Sequence, residues 1–405
     1  MMEWLTKSIS DVICKTKTVD PRKSPEKGFQ YVDVSGVSNK TLEVTESTKL
    51  LGENAPSRAR RLITEGDVIF ATVRPTLRRI AIIPASLDGE VCSTGYFVFQ
   101  PKSELYNRYL YYFLQSDHFM NEMEKLQAGA SYPAVNDSQV KSRLISYPPI
   151  SEQKRIVALL DTVFADLEQT RAKTEQNLKN ARELFDSYLQ QVFSQKGEGC
   201  EQVALSEITE SISDGDHSAP PKSDKGIPFI TISNINKKTL EIDFSNTFKV
   251  PEGYYSALKS IRKPKIGDVL YTVTGSYGIP VMVNDNKEFC FQRYIGLVRP
   301  NKEINSQWLY YLLMSPQVFN QADNGATGTA QKTVSLKLLR SIIVPNIALS
   351  IQKEMVKGLG FMYQESKNLE NIYTKKLNSI DELKKSILQK AFSGELTTDK
   401  NIGSS

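Results

Sequence analysis

The amino-acid sequence predicts an α+β protein: two strand-rich α/β domains in a pseudo-two-fold repeat, separated by two long helices that form an antiparallel coiled coil. Three observations lead there. The chain of 405 residues repeats itself at an interval of about 200, and periods of this kind are sought before any fold is named. Each repeat passes from short alternating strands to a helical stretch with a heptad seam. The length also exceeds a single ordinary core, for which ~100 to 200 residues is usual.

The repeat is read in chain order. Tyr31-Val-Asp-Val-Ser35 returns as Phe229-Ile-Thr-Ile-Ser233, each a short strand. Asn39-Lys-Thr-Leu-Glu-Val44 returns as Lys237-Lys-Thr-Leu-Glu-Ile242. Gly66-Asp-Val-Ile-Phe70 returns as Gly267-Asp-Val-Leu-Tyr271, a turn leading into a β-branched strand. Leu110-Tyr-Tyr112 returns as Leu309-Tyr-Tyr311, opening a helical pattern, and Ser187 to Ser194 returns as Ser386 to Ser393. From Ser151 the apolar positions Ile156, Leu160, Val163, Leu167, Leu178, Ala181, Phe185, Tyr188 and Val192 follow the 4,3 spacing of a coiled-coil seam, interrupted by Arg171 and Thr174. Met355, Leu359, Met362, Leu369, Tyr373, Leu377, Ile380, Leu383 and Ile387 repeat it less strictly. At 1.5 Å per residue the first helix is a rod of ~65 Å. Pro148-Pro149 and Pro345 stop the preceding domains, and Ser151 and Ser350 are the expected helix caps. The expected boundaries are a first domain at 1–149, a spacer helix at 150–196, a second domain at 197–348, a second spacer helix at 349–396 and a flexible tail at 397–405.

Composition, 40% hydrophobic and 24% charged, is that of a soluble protein. No apolar run approaches the ~20 residues of a membrane span, and the start has no cleavage-site pattern; the expected location is cytoplasmic, with no membrane partner. Cys14, Cys92, Cys200 and Cys290 lie far apart and form no C-x-x-C pair. Two histidines, His118 and His217, are too few for a metal site or relay built from several of them, so no metal site is expected. Asn324 to Gln331 is glycine-rich but lacks phosphate-loop spacing. Ser146-Tyr-Pro-Pro-Ile150 carries its aromatic residue before the prolines, where stacking on a flipped base requires it after them, and reads as a hinge. No catalytic residue is assigned.

What the chain offers instead is cationic and polar loops on strand scaffolds. Arg58, Arg60, Arg61, Arg74, Arg78 and Arg79 fall within 22 residues, against only Glu65 and Asp67. Arginine neutralises phosphate and can grip a guanine edge with two parallel hydrogen bonds; a solvated face would more often mix lysine with glutamate. The second repeat has Thr274-Gly-Ser276-Tyr277-Gly278 in this place, with Gln292, Arg293 and Tyr294 on the next strand. Different side chains in equivalent loops would read different base pairs, although drift in an idle loop gives the same pattern. A further pair of loops, with Ser131 and Tyr132 in one and Thr327, Thr329 and Lys332 in the other, suits phosphate contact or a plain turn equally well.

In the order strand-rich domain, long helix, strand-rich domain, long helix, the sequence resembles the specificity subunit of type I restriction-modification enzymes. The resemblance rests on Pro148-Pro-Ile-Ser-Glu-Gln-Lys154, Asp214-Gly-Asp-His217, Gly226 to Ile235, Gly267-Asp-Val-Leu270 and Ala391-Phe-Ser-Gly-Glu-Leu396. It implies two target recognition domains, each reading one half of a split, asymmetric site in double-stranded DNA, with the helices as a ruler for the gap. It also implies docking of two modification (methyltransferase) subunits and of restriction (translocase/endonuclease) subunits. S-adenosylmethionine, ATP and Mg are then expected on those partners and no cofactor on this chain. The first repeat lacks the D-G-x-H motif, with Cys14 to Pro21 in its place, and Ile351 stands where the first helix has Glu152. The alternatives are a coiled-coil scaffold without DNA specificity, or a methyltransferase or nuclease with an unfamiliar centre.

Overall fold

The computed structural model describes residues 4–129, 131–194, 201–217, 219–329 and 331–396. Cys200 and the expected tail at 397–405 lie outside the described residues. The chain divides into two compact units, one of Met1–Thr174 with Lys375–Ser405 and one of Glu175–Thr374. The division falls inside both long helices, so each unit contains one strand-rich domain and half of each helix.

Unit 1 opens with β1 (Leu5–Ser8) and the short α1 (Ile9–Val12), then β2 (Gly28–Val32), β3 (Thr48–Leu51), β4 (Ala59–Leu62), β5 (Val68–Ala71), β6 (Ile80–Ile82), β7 (Val91–Ser93) and β8 (Tyr96–Phe99). Helices α2 (Asn107–Gln115), α3 (Asp117–Leu126) and α4 (Asp137–Lys141) and strand β9 (Leu144–Tyr147) lead to α5 (Ile150–Ser194). The strands form sheets β3-β2-β7-β4, β6-β5-β8 and β1-β9, with β2 and β7 parallel. β5 is buried on both faces, as an unbroken β-branched and aromatic run requires. It starts where Gly66 takes a left-handed φ of 82° and Asp67 accepts from the Thr64 N–H at 2.9 Å. Phe70, Phe99, Tyr109, Phe113 and Phe119 pack with Ile156, Leu160 and Phe164 of α5 in one core.

Unit 2 repeats this plan with β10 (Glu201–Ala204), β11 (Thr209–Asp214), β12 (Ile227–Ile230), β13 (Ile235–Asn236), β14 (Glu241–Ile242), β15 (Phe248–Val250), α6 (Glu252–Ala257), β16 (Val269–Thr272), β17 (Pro280–Met282), β18 (Cys290–Phe291) and β19 (Ile295–Pro300). Helices α7 (Ser306–Met314), α8 (Pro316–Gly325) and α9 (Leu336–Ser341) and strand β20 (Ile343–Asn346) precede α10 (Leu349–Ser393). Its sheets are β15-β12-β18, β11-β19-β16-β17, β13-β14 and β10-β20. The repeated K-T-L-E segment is a tight turn in both units: Leu42 and Leu240 take left-handed φ values of 55° and 57°. Trp308, Leu309 and Leu312 pack with Phe185, Leu189 and Phe193 of α5 and Leu359 of α10.

Within unit 1 the helices run antiparallel, Arg171 pairing with Asp381 and Lys384 with Glu168. The same holds within unit 2, where Arg182 faces Glu370 and Phe185 packs edge-on against Tyr363. The seam is wider than the heptad reading: Phe164, Leu189 and Phe193 are buried as well, because the domains cover one flank of the helix. Thr174 is buried and satisfied by the Thr170 carbonyl at 2.7 Å. The expected serine caps are corrected. The helices start at the expected residues, Ile150 and Leu349, which puts Ser151 and Ser350 inside the first turn and not at the cap.

The side chain that organises each helix start is a glutamine three residues in. Gln153 is fully buried; it accepts from Tyr106 N at 2.8 Å and donates to the carbonyls of Glu104 and Pro148, each at 2.8 Å. Gln352 repeats the clamp, accepting from Asn305 N at 2.7 Å and donating to the carbonyls of Glu303 and Ile347 at 3.1 and 2.7 Å. A buried amide that satisfies one orphan N–H and two carbonyls fixes the loop ahead of α2 or α7 to the helix start.

Candidate nucleic-acid interface

In unit 1 the connection between β5 and β6 is a 3-10 turn, Pro75–Leu77, flanked by Arg74 (φ 50°) and Arg78 (φ 53°), both left-handed. Its position is held by the 127–134 loop: Arg74 N donates to Pro133 O at 2.7 Å, and that loop closes on itself through an Ala128–Ala134 bridge. Residue Ala130 lies outside the described residues. Together the two segments open a cavity of about 380 Å³ whose lining includes Arg58, Arg74, Arg79, Leu77 and Tyr132 and no carboxylate. Arg74 lies over the Tyr132 ring, 4.7 Å from its centroid, and reaches Ser131 O at 3.4 Å. Arg79 donates to the carbonyls of Val34, Ser35 and Val37 at 3.0, 2.9 and 2.7 Å. Arg58 is exposed and its guanidinium has no hydrogen-bond or ionic partner among the described residues.

The other three arginines are engaged by acids far away in sequence. Arg60 pairs with Asp20, Arg61 with both oxygens of Asp137 at 2.9 Å, and Arg78 with Asp117 at 2.8 Å. The cluster of six therefore separates into three that pair with acids and three, Arg58, Arg74 and Arg79, that line one cavity, Arg79 through a guanidinium held by three backbone carbonyls.

Unit 2 joins the same two loops through the same bridges, with different side chains and a strand connection that is one residue shorter and has no 3-10 turn. Thr274 bridges to Thr333 as Val73 does to Ala134, Gly275 N donates to Lys332 O, and Thr327 bridges to Thr333 as Ala128 does to Ala134. The left-handed positions are now Gly275 (φ 72°) and Gly278 (φ 86°). Thr274 is buried, its hydroxyl 3.3 Å from that of Thr333, and Ser276 offers its carbonyl to Thr272 Oγ1 at 2.7 Å. Tyr277 stacks on Phe319 and donates to Asp323, which also pairs with Lys332 at 2.9 Å. The Tyr277 hydrogen bond and the Lys332 ammonium hold the Asp323 carboxyl below its ordinary range, and the Asp323 carboxylate in turn pushes the Lys332 ammonium above its own. Arg293 is exposed and folds onto its neighbour Tyr294, 3.2 Å from the hydroxyl. Gln292 and Tyr294 are half-buried, and Thr327 and Thr329 exposed; Ala330 lies outside the described residues.

The family model of the type I restriction modification DNA specificity domain matches residues 1–178 and again 197–379. The chain belongs to this family. A chain from a structural study of complex assembly and conformational transition of the type I R-M system is 29% identical, with a TM-score of 0.86 over 98% of this chain and 100% of that one. The HsdS subunit from Thermoanaerobacter tengcongensis is also 29% identical, with a TM-score of 0.66 over 97% of each chain. The EcoKI specificity subunit of Escherichia coli K12 is 26% identical across 76% of this chain and 69% of its own length. The chain is thus the DNA-recognition subunit of a type I restriction-modification system, and it is non-catalytic.

Within this specificity subunit the Asp214 to His217 motif is a brace. Asp214 accepts from Arg262 and sits 2.8 Å from His217 Nε2, while Asp216 accepts from Tyr254 at 2.9 Å. Gly215 is required because a side chain there would run into the backbone of Phe291 and Gln292. Glu152, absent from the second helix, is gripped by Arg155, which also donates to Leu396 O and so anchors the end of α10 within unit 1. Sequence reasoning passed over Gln331. The bridge register makes it the unit 2 counterpart of Tyr132, a signal visible only once the strands are paired. Among the described residues no group of three or more His, Cys, Asp or Glu side chains is placed to hold a metal, and no helix is long and apolar enough to cross a membrane.

Proposed function

We propose that this specificity subunit reads a split, asymmetric duplex site, unit 1 taking one half and unit 2 the other, with the paired helices setting the gap between halves. The observation that carries the reading is one set of bridges that joins the same two loops in both units, which bear arginine and tyrosine in unit 1 and glycine, threonine and glutamine in unit 2. A shared frame with unlike side chains presents two different hydrogen-bonding patterns to the major groove. Unit 1 adds a carboxylate-free cavity lined by three guanidinium groups, suited to phosphate or to a guanine edge.

In this reading the subunit works in the cytoplasm and docks two modification subunits, and restriction subunits join that core. S-adenosylmethionine, ATP and Mg belong to those partners. The test is single-molecule sequencing of methylated adenine in cells expressing the chain with its modification subunit, intact and with one heptad deleted from each long helix. A split motif whose gap shortens in the deletion variant is the expected result. An unaltered gap refutes the ruler, and methylation that does not depend on the chain refutes the reading.

A further inference from the structure

We propose that Gln331 is the specificity-determining residue of unit 2, its carboxamide presented to a base edge whose best match is adenine. The inference rests on the reading of unit 2 as a half-site reader. Its first support is register. Val135 N donates to Thr72 O and Val334 N to Val273 O, and Arg74 N and Gly275 N each bond the carbonyl of the opposing loop, at Pro133 and Lys332. Counting back from these bonds places Gln331 where unit 1 has Tyr132, the side chain that covers Arg74 at the mouth of the cationic cavity.

A second support is the space made for it. The Gln331 Nε2 atom lies 3.0 Å from where a Cβ on Gly275 would stand, so the carboxamide rests on a bare, left-handed backbone position. The neighbouring polar groups are committed elsewhere: Lys332 to Asp323, Tyr277 to Asp323, and the Thr333 hydroxyl to Thr274. Gln331 is exposed, and no hydrogen bond among the described residues engages its carboxamide. An amide offers one donor and one acceptor side by side, the complement of adenine N7 and N6 in the major groove, whereas an arginine offers donors only and matches guanine.

The experiment is selection from a randomised double-stranded DNA library by the full-length chain in complex with its modification subunits, comparing wild type with Gln331→Ala, Gln331→Glu and Arg74→Ala. Gln331→Ala is expected to relax one A·T position by about 5- to 150-fold, in the half-site opposite to the one that Arg74→Ala affects. Gln331→Glu, now an acceptor only, is expected to move that position toward cytosine. A motif unchanged in Gln331→Ala, or uniform weakening at every position, overturns this inference and leaves the half-site reading standing. A wild-type complex that enriches no motif overturns both.

Discussion

Arg74 adopts a left-handed backbone (φ 50°) at the position where unit 2 has Gly275 (φ 72°), so glycine is the unstrained choice at this point of the loop. A non-glycine residue in that region costs roughly 1–2 kcal/mol. Replacing Arg74 with glycine removes that cost but loses the stacking on Tyr132, about 0.5–1 kcal/mol at an exposed site, and adds roughly 0.5–1 kcal/mol of glycine chain entropy. These nearly cancel, and Arg74→Gly should unfold within about 1 kcal/mol of wild type. Arg74→Ala loses the same stacking and keeps the strain, so it should lie below Arg74→Gly by up to about 1 kcal/mol, or ~2–4 °C in Tm for a domain of this size. Both variants should lose DNA affinity alike, roughly tenfold, because both remove the guanidinium. Urea unfolding with duplex binding at two salt concentrations reads both quantities. If alanine is as stable as glycine, or if affinity survives either change, then the strain at residue 74 is not kept for DNA.

Three further expectations follow the same geometry. In Gly278→Ala the new Cβ would stand 2.6 and 2.7 Å from two ring carbons of Phe319 on a left-handed backbone, so thermal unfolding should show a loss of about 2–5 kcal/mol. Gln153→Leu leaves the Tyr106 N–H and two carbonyls without their partner; denaturant unfolding should register a loss of about 3 kcal/mol or more, and Gln352→Leu should behave alike. Asp323 has its carboxyl held below the ordinary range by Tyr277 and Lys332, so its contribution is present above that range and lost as pH falls through the depressed value; the protection of amides near residues 327–333, relative to their intrinsic exchange, should fall there in wild type and be low across the whole range in Asp323→Asn.

The duplication was legible because turns and strands repeat locally. G-D-V announces the same Asx-closed turn at 66–68 and 267–269, and the Leu-Tyr-Tyr helices fall where their spacing places them. What stayed hidden depends on partners remote in the chain. Asp20, Asp117 and Asp137 hold three of the six arginines, and nothing near Arg60, Arg61 or Arg78 announces them. Gln153 and Gln352 read as ordinary polar residues of a helix start until burial turns them into clamps. Both cases have one physical cause: a polar side chain's role is set by what desolvates it, and desolvation is a property of the packed chain.

Comparison of the two repeats recovers part of this information, because a pair of interacting residues changes together. Arg78 pairs with Asp117 in unit 1; the matching serine caps Ser116 and Ser315 put Pro316 in the place of Asp117, and the matching bonds Ala71 N to Arg79 O and Thr272 N to Ile279 O put Gly278 in the place of Arg78, so both partners of the ion pair are gone. A phosphate-binding arginine would have no reason to lose an acid with it. At position 74 no acid accompanies the arginine. Its neighbour is Tyr132, and in unit 2 that pair becomes Gly275 and Gln331, a change from cation and ring to bare backbone and amide. Substitutions that remove a cation together with its acid mark structure, and substitutions that replace one exposed hydrogen-bonding pattern by another are the change that the proposed recognition requires. By that criterion residue 78 belongs to the frame, and the proposed reading surface falls on residues 74, 132, 275 and 331.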